Sequence, residues 1–351
     1  MTPGTAKATA ATILRPPADA GRTTPLIRAT LAGIGAYLPE TVVTNDELAK
    51  TIDTSDAWIR ERTGIRQRYI AQRHETCAYM GTQAARAALA DAGVDAREVD
   101  AIILATSTPD QAFPATALRV QAELGAGGFG FDLSAACSGF IYALSMADAM
   151  IRVGQVRTVL VIGSEVYSRI LNWRDRGTCV LFGDGAGAVL LRAGAEMAEG
   201  SGAGKPRGIL STHLHAQGNL GDILYVDGAV GRPDKPGHLV MNGREVFRHA
   251  VGRMTEVVDE ALAANGVSRA EIDWLVPHQA NLRIIEGIGR KLGLPASRVV
   301  VTVDRHANTS AASIPLALAE AYADGRIRRG QLILMEALGG GLTWGSALVR
   351  F

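Results

Sequence analysis

Ala88-Leu-Ala-Asp-Ala-Gly-Val-Asp-Ala-Arg-Glu-Val-Asp-Ala-Ile-Ile-Leu104 has a near copy in Ala261-Leu-Ala-Ala-Asn-Gly-Val-Ser-Arg-Ala-Glu-Ile-Asp-Trp-Leu-Val-Pro277. Each copy reads as the end of a helix, a glycine C-cap at Gly93 or Gly266, a polar turn and a buried strand. The parallel continues outward. Phe131-Asp-Leu and Val301-Thr-Val read as strands, each followed by a small-residue turn and an apolar helix, about 138–152 and 309–323. Val159–Ile162 and Leu332–Met335 read as the next strands. The Gly-rich turn Gly183–Gly187 leads into a strand at Ala188–Leu191, and the turn Gly339–Gly345 into one at Ala347–Val349.

Two copies of a β/α unit predict a duplicated α/β fold with helices covering the sheets. Strands that alternate with helices predict largely parallel pairing. The chain divides into a tail at 1–26, a first half at 27–193, a connection at 194–208 rich in Gly, Ala and Ser, and a second half at 209–351.

With 351 residues and 47% apolar composition, the chain can bury a large core. A formal net charge of +1 supplies no strong field for nucleic acid or a membrane surface. Three cysteines, Cys77, Cys137 and Cys179, are too few and too odd for a disulfide framework, which points to a reducing compartment, the cytoplasm. No apolar run is long enough to cross a bilayer. In the tail, Lys7, Arg15 and Arg22 face the single acid Asp19. A transit peptide has this bias, but a disordered tail is the expectation, and there is no apolar core for a secretory signal. Order is expected from Ile27. Pro39 ends the first apolar segment, and Thr44 N-caps a polar helix.

Three residues stand where chemistry is expected. Cys137 lies between a strand and a helix, where free N–H groups and the helix dipole lower a thiol's pKa. The alternative is a small buried hydrophobe. His278 follows a buried strand in Trp274-Leu-Val-Pro-His-Gln-Ala-Asn, at the strand end where α/β proteins place their sites. It could equally be satisfied by local backbone. Asn308, in Asp304-Arg-His-Ala-Asn-Thr-Ser-Ala-Ala-Ser, could be a helix N-cap. The repeat favours a shared site, because it puts Cys137 and Asn308 at matching junctions of the two halves. Gly183–Gly187 lacks the spacing of a dinucleotide loop. His213 and His215 alternate as on one face of a strand, with no Cys or carboxylate pattern nearby to make a metal site.

At these motifs the chain closely resembles the β-ketoacyl-acyl-carrier-protein synthase III family of condensing enzymes. The resemblance runs from about Ile27 to Phe351. It is carried by Asp53-Thr-Ser-Asp-Ala-Trp-Ile, Arg62-Thr-Gly-Ile-Arg, Ala135-Ala-Cys-Ser-Gly-Phe, Asp175-Arg-Gly-Thr and Phe182-Gly-Asp-Gly-Ala-Gly-Ala. It continues in Val276-Pro-His-Gln-Ala-Asn-Leu-Arg, the segment 304–313 and Gly339-Gly-Gly-Leu-Thr-Trp-Gly-Ser-Ala-Leu. It implies a thiolase-like fold of two duplicated halves in α-β-α-β-α layers, and a homodimer. It implies acetyl-CoA as primer, malonyl-acyl carrier protein as extender, and neither metal nor cofactor. Cys137, His278 and Asn308 would be catalytic, with backbone N–H groups of Cys137 and Gly340 as the oxyanion site. Trp58, Arg62, Arg176, Gly243, Phe247, Ala280 and Asn281 would bind CoA. Phe113 and Leu338 would shape the acyl pocket. Arg248, Gln279, Arg283, Arg290 and Lys291 would meet the carrier protein. Leu338 and Leu342 replace aromatics and Arg244 replaces a smaller polar residue of the family pattern, which bears on primer preference.

Rival readings are a papain-like peptidase, which shares the order Cys, His, Asn but not the local signature, and a specialised acyltransferase of the same fold. An inactive scaffold is disfavoured by the intact triad.

Overall fold

The computed structural model describes residues 27–195, 206–228 and 231–351. The tail at 1–26 and most of the connection at 194–208 lie outside the described residues.

Thirteen strands are described: β1 Ile27–Tyr37, β2 Thr41–Thr44, β3 Gln67–Ile70, β4 Ala101–Ala105, β5 Phe129–Leu133, β6 Thr158–Val166, β7 Asp184–Ala195, β8 Gly208–Ala216, β9 Leu224–Val226, β10 Leu239–Met241, β11 Trp274–Pro277, β12 Leu332–Gly339 and β13 Thr343–Arg350. The helices are α1 Asn45–Leu48, α2 Asp56–Thr63, α3 Cys77–Ala92, α4 Thr116–Leu124, α5 Gly139–Arg152, α6 Arg176–Cys179, α7 Gly243–Asn265, α8 Leu282–Leu292, α9 Val303–His306 and α10 Ser313–Ala323. Local chemistry sets several ends. Thr44 and Glu47 form a reciprocal capping box on α1. Gly93 (φ 63°) and Gly266 (φ 61°) close α3 and α7 in the left-handed conformation.

Two sheets carry the fold. One has the order β1-β7-β6-β4-β5 and the other β11-β12-β13-β8. Apolar side chains of α5 and α10, Phe140, Leu144, Ile314 and Leu318 among them, fill the space between them, with Val161, Val189, Met335 and Val349 of the sheets. Helices α3 and α4 cover the outer face of the first sheet, and α7 and α8 cover that of the second. The result is five layers, α-β-α-β-α. Gly187 permits the central contact, because a Cβ there would sit 2.7 Å from Pro315 of α10.

The pairing is more mixed than the sequence suggests. β4–β5, β4–β6 and β11–β12 are parallel, but β1–β7, β6–β7, β12–β13 and β13–β8 are antiparallel. The last strand of each half turns back beside its predecessor: β13 follows β12 through a tight turn, and β7 follows β6 through a connection whose α6 is only four residues long, too short for the crossover a parallel neighbour needs. Gly183–Gly187 is not a free turn, since β7 already begins at Asp184. Val301-Thr-Val is not a strand. The backbone N–H groups of Thr302 and Val303 go instead to the Gln279 side-chain oxygen, at 2.8 and 3.1 Å. Only Val299 bridges to Leu275.

One buried acid makes the fold pH-dependent. Glu336 on β12 is fully buried, and neither of its carboxyl oxygens has a hydrogen-bond partner. Burial pushes its pKa up to about 8. Between the ordinary carboxyl range and that value the folded chain holds a proton that the unfolded chain releases. This contribution is complete at low pH and is lost as pH rises through about 8. Glu336→Gln removes that loss. The Tm difference between Glu336→Gln and the parent should grow as pH rises from about 5 to about 9. A constant difference in thermal unfolding would contradict this.

Candidate active site

A cavity of 640 Å³ opens between the halves, lined by Cys137, His278 and Asn308 at its base. Trp58, Arg62, Gly243, Phe247, Ala280, Asn281 and Leu338 also line it. These positions come from both halves, and the chain brings them together only in three dimensions.

Cys137 sits in the single turn Ala136–Ser138 that leads into α5. Ala136 has a left-handed φ of 46°, an uncommon conformation for alanine that aims the following residue into the cavity. The turn is tied to the β12–β13 hairpin: Ser138 Oγ and Thr343 Oγ1 both donate to Ala135 O, at 2.7 and 3.0 Å. Gly339 lies against it so closely that a Cβ would stand 2.6 Å from the Cys137 backbone N. Only glycine allows this approach, which sets the Gly339–Gly341 backbone beside the thiol.

The thiol itself departs from the sequence expectation. Burial pushes the Cys137 pKa up to about 12, with Ser310 hydrogen bonding acting against it and Glu165 adding to the rise. Desolvation of the thiolate is the largest cause of the rise.

His278 follows β11, and its backbone N donates to Glu336 O at 2.8 Å. Its Nδ1 lies 2.6 Å from Ser313 Oγ. Ser313 Oγ also accepts from Gln279 N at 3.3 Å, so the hydroxyl hydrogen is available for Nδ1. That leaves the proton of the neutral ring on Nε2. Burial holds the His278 pKa down to about 3, so the ring is neutral at ordinary pH. Asn308 is held between backbone bonds to Leu181 and Gly183, both at 3.0 Å. Its Oδ1 accepts from Ser310 N at 2.9 Å, which leaves the amide N–H groups free to donate. The site thus offers one thiol and two neutral donors, all three buried.

At the mouth, Arg62 and Arg176 lie over the Trp58 ring at 4.6 and 4.8 Å. Arg176 is not among the cavity-lining residues but is joined to the site through this stack. Asn281 N-caps α8 and donates to Arg62 O at 3.1 Å. Phe113 is elsewhere: it is 84% exposed, on the loop after β4, and does not reach this chain's cavity. Arg283 lines the cavity rim and holds Glu61 O, at 2.7 and 3.1 Å. Arg290 pairs with Glu286 at 3.7 Å, and Arg248 with Glu245.

Gln279 cannot meet a carrier protein. It is fully buried, its oxygen holds Thr302 and Val303, and its nitrogen donates to Pro277 O and Val300 O at 2.8 and 3.1 Å. His213 and His215 do have a carboxylate, Glu260 of α7, at 3.2 and 2.6 Å. Among the described residues, no cluster of three or more His, Cys, Asp or Glu could hold a metal ion. Sequence reasoning also passed over Ser313, which orients His278, and over Leu224, Met241 and Ile284, which line the cavity. Ser313 stands within the 304–313 motif; the three apolar residues carry no local signal.

Models of the 3-oxoacyl-[acyl-carrier-protein] synthase III family match residues 131–218, and of its C-terminal part residues 262–351. A β-ketoacyl-[acyl-carrier-protein] synthase III of Acidiphilium cryptum is 69% identical over 92% of this chain and 99% of that protein. The chain belongs to the synthase III family. The protein of the same name from Granulibacter bethesdensis is 68% identical over 92% of this chain and 99% of its own length. The crystal structure of the synthase III from Aquifex aeolicus superposes with a TM-score of 0.85 at 49% identity, covering 92% of this chain and all of that one. The five layers described above are the thiolase-like fold of the synthase III family. No helix among the described residues is long and apolar enough to cross a membrane.

Proposed function

We propose that this chain is the condensing acyltransferase that joins acetyl-CoA to malonyl-acyl carrier protein, releasing CoA and CO2 and forming acetoacetyl-acyl carrier protein. This reaction begins type II fatty-acid synthesis. The observation that carries the proposal is the convergence of Cys137, His278 and Asn308 at the base of one cavity whose mouth is lined by Trp58 and Arg62.

The reaction is ping-pong. The Cys137 thiolate attacks the acetyl thioester, and the backbone N–H groups of Cys137 and Gly340 receive the oxyanion. CoA leaves with Trp58, Arg62, Gly243, Phe247, Ala280 and Asn281 along its path. The adenine takes the place of Arg176 on the Trp58 face, and Arg176 then stacks on the base. Malonyl-acyl carrier protein enters next. His278 Nε2–H and the Asn308 amide donate to the malonyl thioester oxygen and hold the enolate as CO2 departs. The carbanion attacks acetyl-Cys137, and the new β-ketoacyl thioester leaves on the carrier. These steps need only the chain's own groups and the two substrates. Labelled acetyl-CoA should give a mass shift on Cys137, and added malonyl-acyl carrier protein should convert it to acetoacetyl product. A chain that acquires no acetyl group would overturn the proposal.

The working unit in this proposal is a homodimer. β5 is an edge strand, and Phe113 and Phe129 (42% exposed) present apolar surface on that side. Phe113 then closes the partner's acyl pocket, opposite Leu338. Because each methylene admitted to a pocket contributes about 0.8 kcal/mol, Phe113→Ala should shift preference from acetyl-CoA toward butyryl-CoA or longer. Rates with a C2 to C8 acyl-CoA series test this; an unchanged profile leaves Phe113 as interface packing. Buried, free Cys77, Cys137 and Cys179 fit a reducing cytoplasm.

Carrier-protein docking uses Arg248, Arg283, Arg290 and Lys291 around α7 and α8. Arg283 also holds α2, so Lys291→Glu is the cleaner test. It should raise KM for malonyl-acyl carrier protein about fivefold, spare KM for acetyl-CoA, and lose its effect in high salt. Equal effects on both substrates would exclude a dedicated docking face.

A further inference from the structure

Arg68, on β3, is completely buried. A charge taken out of water is costly unless it is paired, and no ion pair neutralises this one among the described residues. Burial pulls its pKa down to about 10, so the guanidinium stays charged at neutral pH. Its N–H groups go to oxygens of three separate segments. Nη1 donates to Asn45 Oδ1 at 2.8 Å and to Val43 O at 3.3 Å, and Nη2 donates to Val180 O at 2.9 Å. Nε has no partner. A planar fork of donors can hold several elements at fixed geometry, which no apolar side chain can do.

The arms of the fork lead to the two sides of the cavity mouth. Asn45 is itself buried and passes the contact on: its Nδ2 donates to Asp56 Oδ1 at 2.9 Å and to Ile65 O at 2.8 Å. Asp56 opens α2, and Ile65 follows the Gly64 that closes it, so Asn45 holds both ends of that helix. Trp58 stands in the first turn of α2, its backbone N–H donating to Ser55 Oγ at 3.2 Å. The other arm ends on Val180, the residue that closes α6. Arg176 begins α6 and lies over the Trp58 ring. Packing around the fork is close, since a Cβ on Gly183 would stand 3.2 Å from Arg68 Cβ. The two short helices that carry Trp58 and Arg176 are therefore both tied to one buried guanidinium.

We propose that Arg68 is the positioning residue of the nucleotide clamp: holding α2 through Asn45 and α6 through Val180, it sets the separation of Trp58 and Arg176 and so the grip on the adenine end of acetyl-CoA. This rests on the adenine reading given above. Arg68 does not line the cavity and acts only through what α2 and α6 present to it. The thioester end of the site hangs on other contacts, Ser138 and Thr343 on Ala135 O and Ser313 on His278. Asn308 is bonded to Leu181 and Gly183, next to Val180, so the test is confined to the first half-reaction, in which Asn308 takes no part.

The test compares acetyl-Cys137 formation from acetyl-CoA and from acetyl-pantetheine, which carries the same thioester without the nucleotide. Single-turnover rates are read by quench and intact-protein mass. The parent should reach half its maximal rate at a much lower concentration of acetyl-CoA than of acetyl-pantetheine. Arg68→Met, apolar and of similar reach, should raise the half-saturating acetyl-CoA concentration about tenfold, the effect of losing a cation–π stack. It should leave the maximal rate and the acetyl-pantetheine curve unchanged. Asp56→Ala, at the half-buried end of the same chain of bonds, should shift acetyl-CoA in the same direction, and it decides the matter if Arg68→Met does not fold. The double variant should be no worse than Arg68→Met alone, because both changes cut one chain.

Equal losses on the two thioesters, parent-like acetyl-CoA curves in both variants, or factors that multiply in the double variant would overturn the proposal. If the parent forms no acetyl-Cys137 or uses the two thioesters equally, the reading of the site fails instead. The coupling is then read from amide hydrogen exchange. Asp56→Ala should speed exchange in α6 and leave α5 as in the parent; unchanged exchange in α6 overturns the coupling.

Discussion

Cys137→Ala should abolish acetyl transfer and leave the chain folded. The thiol is the one nucleophile that lines the base of the cavity, and removing a covalent nucleophile typically costs a factor of about 10⁴ or more. Ala135, Ala136 and Gly139 already surround it, and losing one buried sulfur should cost only about 1 kcal/mol of stability. The backbone that forms the oxyanion site is unchanged, and His278 and Asn308 keep their own anchors on Ser313 and Ser310. The variant should therefore still decarboxylate malonyl-acyl carrier protein while forming no acetyl-enzyme and no acetoacetyl product. Labelled CO2 release and intact-protein mass measure the two separately. Acetyl transfer at a parent-like rate would remove Cys137 from the mechanism.

His278→Ala and Asn308→Ala should produce the opposite pattern. Both side chains are neutral donors, and neither is needed for the thiol to attack acetyl-CoA. Acetyl-Cys137 should still form in each variant. Condensation should fall by about 10²–10³ per donor removed, as for other donors to a developing oxyanion. His278 stays neutral down to about pH 3, so the decarboxylation limb should show no histidine inflection near its ordinary value. The sign follows from burial. Below that ordinary value the unfolded chain binds a proton that folded His278 refuses, so this residue's contribution to stability falls with falling pH and is lost toward about pH 3. Parent-like condensation by Asn308→Ala, measured with pre-acetylated enzyme, would exclude its role.

Much of the molecule can be read from short-range pattern. Glycine closes α3 and α7 because only left-handed backbone satisfies the last carbonyls there, and that requirement is visible in two aligned segments. The triad is visible for a similar reason, since each member lies in a compact run of small residues at a junction. Val301-Thr-Val looked like a strand because its composition suits one, yet the Gln279 amide takes its N–H groups from across the fold. The family resemblance implies that Gln279 meets the carrier protein, yet it is fully buried. Its burial depends on β11, α9 and α10 closing over it, which no local window contains.

The amino-acid sequence by itself determined the duplicated β/α plan, the capped helix ends, the family and the three residues at the base of the cavity. These depend on periodicity and on motifs a few residues long. The tertiary structure alone decided the antiparallel returns of β7, β8 and β13, the carboxylate partner of His213 and His215, and the protonation of the site. A thiol held near 12 and a histidine near 3 are both set by desolvation, which sums the effect of every element packed around a group. That sum exists only once distant parts of the chain have come together.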